Sequence, residues 1–522
     1  MENKIQLNPA FQGLDAETIK NAVESKRSIG FKTIDKTEAL KLLLKQAEPV
    51  DFLTLKYPEV EKLRKRLENC DDENEAKKIQ RQIDGLVLKR DDYVFDVIKE
   101  IQRLANDNSL GLCLNNQLVY LYNGAFWDLL DKSQFYKFLC DIAEKMGLPE
   151  RIAHFHRFQK ELISQFETVA SIPTPEINSD IVLINLRNGT YEINGNGETR
   201  LRPPRKEDFI TYQLPFNYDP NATAPKFNKY LNEVLPDVEL QRLVSEYIGY
   251  LFIRNGTNNL KLEKVMILYG NGQNGKSVLL DIIGALIGPE NCTNISLENL
   301  TEPKGFYRAA LNNKLVNYST EISGNFDVSL FKKMVSGEPV EACRKFEQPF
   351  TMTQYAKFIF SGNELPKNVE HTDAYYRRFL IISFDVKISE EQKDINLAKN
   401  IINDELPGIF NWTLEGLKRL IKNKKFSNCK ASEDILKKYE MESNSVEMFI
   451  EDNNYKLSDG SDYVRLNVLF ENYKAYCINE GRQPFNKTNF RKQLERLGIV
   501  ADKNREGNIY YLKGGPDSIN PY

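Results

Sequence analysis

An α/β fold is predicted by three features of the chain. Residues 265–269 form an apolar run that opens directly into Gly270-Asn271-Gly272-Gln273-Asn274-Gly275-Lys276-Ser277. Between 278 and 287 apolar residues recur at helical spacing until Gly288 stops them. Three later apolar runs, 315–319, 357–361 and 380–384, supply further strands around that strand–loop–helix unit.

Taken in order, residues 56–105 are dense in Leu, Ile, Glu, Lys and Arg, with Val60, Leu63 and Leu67 as one stripe and Ile79, Ile83, Leu86 and Leu88 as another. They predict a helix pair or short coiled coil, read first as a solvated hairpin with no chemistry. Residues 117–130 alternate as a β-hairpin turning at Asn123-Gly124, with Trp127 packed on it. A turn-rich β segment spans 181–218, and a loop rich in Pro, Asn and Asp follows at 215–225. Residues 227–254 read as helical, and 340–352 as a hairpin. Residues 427–445 read as a polar linker. Beyond it come two amphipathic helices, 464–478 and 487–497, then a charged turn at 502–507 and a strand at 508–512, the order of a winged helix-turn-helix.

Size and composition bound the class. A chain of 522 residues suits three or four domains. The boundaries drawn are a helical region at 1–105, an α+β domain at 106–222, the nucleotide domain at 223–430 and the winged domain at 445–522. No stretch approaches the ~20 apolar residues of a membrane span, and the amino terminus has no apolar signal core. A cytoplasmic protein with no membrane partner is expected. Its 7 cysteines never form C-x-x-C pairs, which excludes a disulfide framework and a thiolate zinc site. The formal charge of -3 excludes nucleic-acid binding by global basicity. Local patches carry it instead, since residues 482–505 hold seven cations against two acids.

The loop is the first candidate site. Gly270, Gly272 and Gly275 allow backbone angles that turn successive N–H groups toward phosphate oxygens. Lys276 neutralises the β/γ charge, Ser277 offers a hydroxyl to Mg²⁺, and the helix after it points its positive end at the anion. Asn271, Gln273, Asn274 and Val278 complete the expected contact set for ATP with Mg²⁺. Hydrolysis also needs an acid at the end of a nearby strand, and Glu321 after the run 315–319 is the candidate base and second metal ligand. Asn363, after 357–361, is the candidate sensor of the γ-phosphate and attacking water. Arg377 and Arg378 precede the next strand, either as a salt-bridged surface or with one of them acting as an arginine finger on a neighbouring subunit. Lys333, Arg344, Lys345 and Phe346 combine cations with an aromatic, which suits a nucleic-acid strand.

This ordered set resembles the superfamily III helicases, in particular the phage, plasmid and poxvirus type with a D5-like amino-terminal region. The likeness covers about residues 90–512, and Asn274 before Gly-Lys-Ser is its more specific mark. The resemblance implies an AAA+-like core and a homo-oligomer, a hexameric ring around one DNA strand, moving 3′ to 5′. It also implies Glu321 as the Walker B acid, Asn363 as the motif C sensor, Arg344 and Lys345 in a DNA hairpin, and Arg377 or Arg378 as the trans finger. One departure is Thr320, where many relatives place a second acid.

In the tail, Lys487, Asn489, Arg491 and Lys492 open the second helix as a recognition helix would, with Lys503 and Arg505 in the wing. A purely structural winged domain is the alternative. The expected function is an ATP-dependent helicase that initiates replication of a mobile element, binding single- and double-stranded DNA and, as further partners, host replication proteins. An origin-binding protein that loads a host helicase and a helicase-primase are the competing readings. The histidines, His154, His156 and His371, and the pairs Asp71-Asp72 and Asp91-Asp92 give the primase reading little support.

Overall fold

The computed structural model describes residues 33–515, apart from 173–180, 256–259, 261, 321, 323–325, 367–371, 390, 392, 483 and 506. Its amino-terminal part starts with helices α1 (Lys36–Gln46), α2 (Phe52–Lys56), α3 (Glu59–Glu68), α4 (Glu73–Asp84) and α5 (Arg90–Asp107). The α3–α4 pair buries little beyond Val60, Ile79 and Ile83, so it is the solvated hairpin that the stripe predicts. Strands β1 (Gly111–Asn115), β2 (Leu118–Tyr122) and β3 (Trp127–Leu129) form an antiparallel sheet. The β2–β3 hairpin is the expected one, its turn held by the Asn123 side-chain oxygen, which accepts from the amides of Ala125 and Phe126. Strand β1 was not expected; its Gly111 leaves room for Trp127. Helices α6 (Lys132–Lys145), α7 (Glu150–Ala153) and α8 (His156–Ala170) share one buried cluster with α1, α2 and α5.

Strands β4 (Ile181–Leu186), β5 (Gly189–Asn194) and β6 (Thr199–Arg202) make an antiparallel meander. Its Ile184, Leu186, Tyr191 and Ile193 belong to the same cluster as the helices that follow, α9 (Pro225–Val234) and α10 (Val238–Tyr250). Buried cores thus run across the boundaries drawn at 105 and 222.

The central sheet contains β7 (Val265–Tyr269), β8 (Cys292–Thr293), β9 (Val316–Ser319), β12 (Lys357–Gly362) and β13 (Phe379–Ser383), all parallel, in the order β13-β7-β12-β9-β8. Between β9 and β12 in sequence, β10 (Val340–Ala342) and β11 (Phe350–Met352) pair as the expected antiparallel hairpin. A parallel sheet is covered on both faces, which is why its strands are apolar runs rather than alternating ones. Met266, Leu268, Leu380 and Ile382 face α10, helix α11 (Lys276–Ile287) and a 27-residue helix at Leu397–Asn423. Val265, Ile267, Phe379 and Ile381 face the opposite layer, built from Leu297–Leu300 (α12), Val328–Val335 (α13) and the hairpin.

With Asp373–Tyr376 as α14 and Leu397–Asn423 as α15, two buried carboxylates set the packing of α15. Glu405 accepts from the amides of Lys226 and Phe227 at 2.9 and 2.8 Å, which caps α9 where Pro225 begins it. Glu246 accepts from Arg419 and from Ser427. The α10–α15 crossing is so close that a Cβ on Gly416 would lie 2.4 Å from the carbonyl carbon of Ser245.

The polar linker expected at 427–445 is instead helix α16 (Lys430–Ser443). Its polar composition belongs to one face: Ile435, Leu436 and Tyr439 pack toward the sheet while Lys437, Lys438 and Glu442 are exposed. Helices α17 (Ser445–Asp452), α18 (Leu466–Asn479) and α19 (Lys487–Arg496) follow. They pack with a short β14 (Lys456–Leu457) and β18 (Leu512–Lys513) pair and a three-stranded antiparallel sheet of β15 (Val464–Arg465), β16 (Ala501–Asn504) and β17 (Gly507–Tyr510), ordered β15-β17-β16. Residues 464–465 thus pair as a strand before the expected helix begins. Among the described residues no helix is long and apolar enough to cross a membrane.

Lys357, the first residue of β12, is buried over the Tyr250 ring at 4.5 Å and donates to the Ile253 carbonyl at 2.5 Å. Burial pushes its ammonium down to about 7. The unfolded chain therefore holds a proton between about pH 7 and pH 10.5 that the folded chain has released, so stability rises with pH across that window. Lys357→Met removes this dependence. Its melting temperature minus that of the wild type should be greatest near pH 7 and shrink toward pH 10.5 in a thermal series, and a gap independent of pH would refute the buried neutral amine.

Candidate functional site

The glycine loop lies at the carboxyl end of β7, where strand order reverses and α/β sheets open a crevice. Two of its glycines are required by space and by backbone. At Gly270 (φ 147) a Cβ would meet the Phe384 carbonyl at 2.5 Å, and at Gly275 (φ 89) it would meet Val234 at 2.7 Å. Gly272 faces open space, and Asn271, Gln273 and Ser277 are also exposed. Val278 is half-buried against the core below the loop.

Lys276 begins α11 and turns its Nζ back into the loop. There it donates to the Gly270 carbonyl at 2.5 Å, the Asn271 carbonyl at 3.1 Å and the Asn274 Oδ1 at 3.0 Å. Burial lowers its pKa, so an added anion would relieve a cost the lysine already bears. Asn274 is buried and reaches the other way as well, donating Nδ2 to the Phe384 carbonyl at 2.9 Å. The frame is completed from outside by Tyr230, whose hydroxyl donates to the Gly275 carbonyl at 2.8 Å, and by the amide of Ile388, which donates to the Gln273 carbonyl at 2.9 Å. Tyr230 sits 46 positions before Lys276, and nothing in its sequence setting marks it.

Strand β12 delivers Asn363 to the same edge. Gly362 pairs with Tyr269, the Gly270 amide donates to the Gly362 carbonyl at 3.3 Å, and Asn363 is exposed just beyond. Strand β9 ends at the buried Ser319 beside Phe360, and Ile322 packs against Gly362. The candidate acid, Glu321, lies outside the described residues.

The two arginines are not brought to this loop. They precede β13, whose Phe379 pairs with Val265 and whose Ser383 pairs with Tyr269, so they stand at the amino end of the sheet. A five-residue strand separates them from the loop of their own chain, about 17 Å at ~3.3 Å per residue. Arg378 is buried, donating to the Ala374 carbonyl and to Ser336 Oγ at 2.8 Å. Arg377 is 63% exposed and pairs with Glu263 at 3.2 Å. Arg378 lies 3.5 Å from the same carboxylate, so both are paired and they differ in burial, Arg378 turned inward and Arg377 outward.

At the β10–β11 hairpin, Arg344 turns inward, stacked over Phe350 at 4.1 Å and donating to the Asn116 carbonyl at 3.1 Å. Lys345 is exposed, and Phe346 at the tip is fully exposed with φ 67. Lys333 is exposed on α13. Sequence reasoning passed over Phe306 and Tyr307, exposed aromatics beside the exposed Lys304. Their loop is tied to the hairpin, since the Cys343 amide donates to the Gly305 carbonyl at 3.2 Å and Arg308 to the Glu341 carbonyl at 3.1 Å. An aromatic pair next to Lys-Gly was the available signal.

In the tail, Lys487, Asn489 and Lys492 are exposed on α19, while Phe490 and Leu494 fill the core behind it. The Lys487 ammonium is held by Asn467 Oδ1. Arg491 is half-buried, and Lys503 and Arg505 are exposed around the β16–β17 turn.

A glycine loop at the carboxyl edge of a parallel sheet, with a buried lysine at its centre, is an α/β arrangement suited to an anion. The D5 N terminal like family matches residues 120–236, and a family of unknown function (DUF5906) matches residues 268–378. A candidate helicase of Invertebrate iridescent virus 3 is 24% identical over 240 residues, covering 42% of this chain and 24% of that protein. A candidate helicase of Acanthamoeba polyphaga mimivirus is 21% identical over 274 residues, covering 49% of this chain and 27% of its own length. The chain therefore spans about a quarter of the length of these curated relatives. Among solved structures, the apo C-terminal region of NrS-1 aligns with 79% of this chain and 98% of its own at 14% identity and a TM-score of 0.45. The D5 match and the helicase-named relatives bear out the resemblance carried by the motifs, which is to the D5-like replication helicases of mobile elements.

Asn274→Ala takes one oxygen from Lys276 and cuts the tie to Phe384. Affinity for ATP, the ligand expected of this loop, should fall about tenfold, equivalent to about 1.4 kcal/mol. Titration with a fluorescent nucleotide reads this, and an unchanged affinity would remove Asn274 from the site.

Proposed function

We propose that the chain is an ATP-driven DNA helicase and replication initiator, working as a ring with each nucleotide held between two subunits. One observation carries the reading. Within one chain the loop and Asn363 stand at one end of the sheet, and the exposed Arg377 stands at the other. Phosphoryl transfer gains from an arginine at the transferred group in addition to the loop lysine. Arg377 would reach that group from a second copy packed head to tail, and contacts of that type form rings when the rotation between copies closes. Six subunits and 3′ to 5′ movement are what the family resemblance adds. The strand order β13-β7-β12-β9-β8 agrees with an AAA+-like core, and the order α17, β15, α18, α19, β16, β17 agrees with a winged helix-turn-helix.

The loop suits a triphosphate: crowding at Gly270 and Gly275 admits only glycine, the backbone at Gly272 is open, and Lys276 is already drawn to the loop's oxygens. Bound ATP with Mg²⁺ supplies the electrophilic phosphorus and the free energy of hydrolysis. Lys276 offsets phosphate charge, the first amides of α11 point at the same oxygens, and the Ser277 hydroxyl and Glu321 would hold the metal. Asn363 orients the attacking water and Glu321 accepts its proton. Arg377 of the partner subunit stabilises charge on the transferred group.

On the DNA side, Phe346 offers a face for base stacking, with Lys345 and Lys333 on phosphates. Arg344 steers the hairpin from below. Helix α19 presents Lys487, Asn489 and Lys492 toward a duplex, with Lys503 and Arg505 on its backbone and Arg491 bracing the helix.

Strand displacement by purified protein tests the reading. Lys276→Ala should abolish it together with ATP turnover. Arg377→Ala should lower turnover by about 10³-fold and be rescued when mixed with Lys276→Ala chains, because each copy then supplies what the other lacks. ATP turnover without any strand displacement would make the protein a loader instead, and failure of the mixture to recover would reject the shared site.

A further inference from the structure

We infer that Tyr439 is a positioning residue that holds the sensor turn and the arginine segment in register with one helix, and so links a chain's own nucleotide to its neighbour's. The inference rests on the roles proposed above for Asn363 and Arg377. Tyr439 lies on α16, 5% exposed. Its hydroxyl donates to the Pro366 carbonyl at 2.7 Å, three residues beyond Asn363 on the turn that leaves β12. Leu365 packs against the same cluster. Its ring meets Tyr376 edge-on at 5.4 Å and Phe379 at 6.1 Å with the planes at 90°. Those two residues bracket Arg377 and Arg378 in the chain.

One side chain therefore touches both ends of the sheet's chemistry by two separable means. The hydroxyl holds the sensor turn and also lies beside the Tyr375 hydroxyl, while aromatic packing holds Tyr376 and Phe379 of the arginine segment. The hydroxyl is a stable donor, because burial pushes its pKa up and keeps it protonated. A buried donor to a buried carbonyl is costly to break without replacement.

Helix α16 also leads into the tail. It passes through Asn444, whose side chain caps α17 by accepting from the Val446 amide at 3.2 Å. Arg482 donates to the Glu442 carbonyl at 2.9 Å, and Ser445 shares a hydrogen bond with Tyr473 at 2.7 Å. From Tyr439 to Asn444 is about 7.5 Å along the axis at ~1.5 Å per residue. A shift of the tail domain thus reaches Tyr439 through little more than one rigid turn. Movement of α16 displaces the Asn363 turn and the Arg377 segment together, which makes turnover in adjacent subunits interdependent.

Tyr439→Phe separates the two means, because it keeps the ring contacts and removes only the hydroxyl. It should lower kcat for ATP about tenfold, leave KM within about twofold and bring the Hill coefficient for ATP to about 1. Amide exchange should quicken more at 362–365 than at 373–379. Tyr439→Leu should quicken exchange in both segments. A wild-type kcat, Hill coefficient and exchange rate at 362–365 in Tyr439→Phe would overturn the inference. So would a kcat loss matched by a loss of folded protein with cooperativity intact. If Lys276→Ala turned over ATP at the wild-type rate, the proposed function would fall instead, and the exchange pattern would still decide whether Tyr439 holds both segments.

Discussion

Strand β7 is hydrogen-bonded on both sides, and the parallel register of its neighbours is the constraint on which the other features depend. Gly362 of β12 lies beside Tyr269, and Ser383 of β13 does too. Whatever follows β7, β9 or β12 is delivered to one edge, and whatever precedes β13 is delivered to the other. No rotamer change moves Arg377 across a five-residue strand. A shared site between copies is the arrangement that uses both edges.

The same strand that begins after the arginines also fastens the loop. Just past β13, the Phe384 carbonyl accepts from Asn274 and the Phe384 amide donates to the Tyr269 carbonyl at 2.8 Å. Asn274 then holds Lys276 in place, against the desolvation that lowers its pKa. Strand β13 is thus in contact with the phosphate loop at one end and the displayed arginine at the other. On the proposed function, a nucleotide that shifted the loop would act on a strand buried at every residue.

Much of this was legible in the sequence. The glycine loop, its strand and its helix were read from residue type and spacing, because glycine, lysine and an apolar run each answer a local requirement. The hairpins at Asn123-Gly124 and 340–352 were legible for the same reason. The residues that needed three dimensions were different. Arg377 and Arg378 are adjacent in sequence and alike in charge, yet one is buried on Ser336 and the other is displayed, a distinction set by the partners of α14. Arg344 read as a nucleic-acid contact in the hairpin, but Asn116, more than 200 residues earlier, accepts its hydrogen bond and turns it inward. Helix α16 was hidden because Tyr439 has few apolar neighbours in sequence and finds its partners on β13 and after β12. Tyr230 and Phe384 act on the loop through a hydroxyl and a backbone carbonyl, which leave no motif.

The central claim is that one chain cannot complete its own site. Its most direct measurement is ATP turnover per chain as protein is diluted through the concentration at which the assembly dissociates, with mass followed in parallel. The account predicts that turnover per chain collapses together with the assembly and returns on concentration. Turnover that stays constant in chains shown to be single at every step would contradict it.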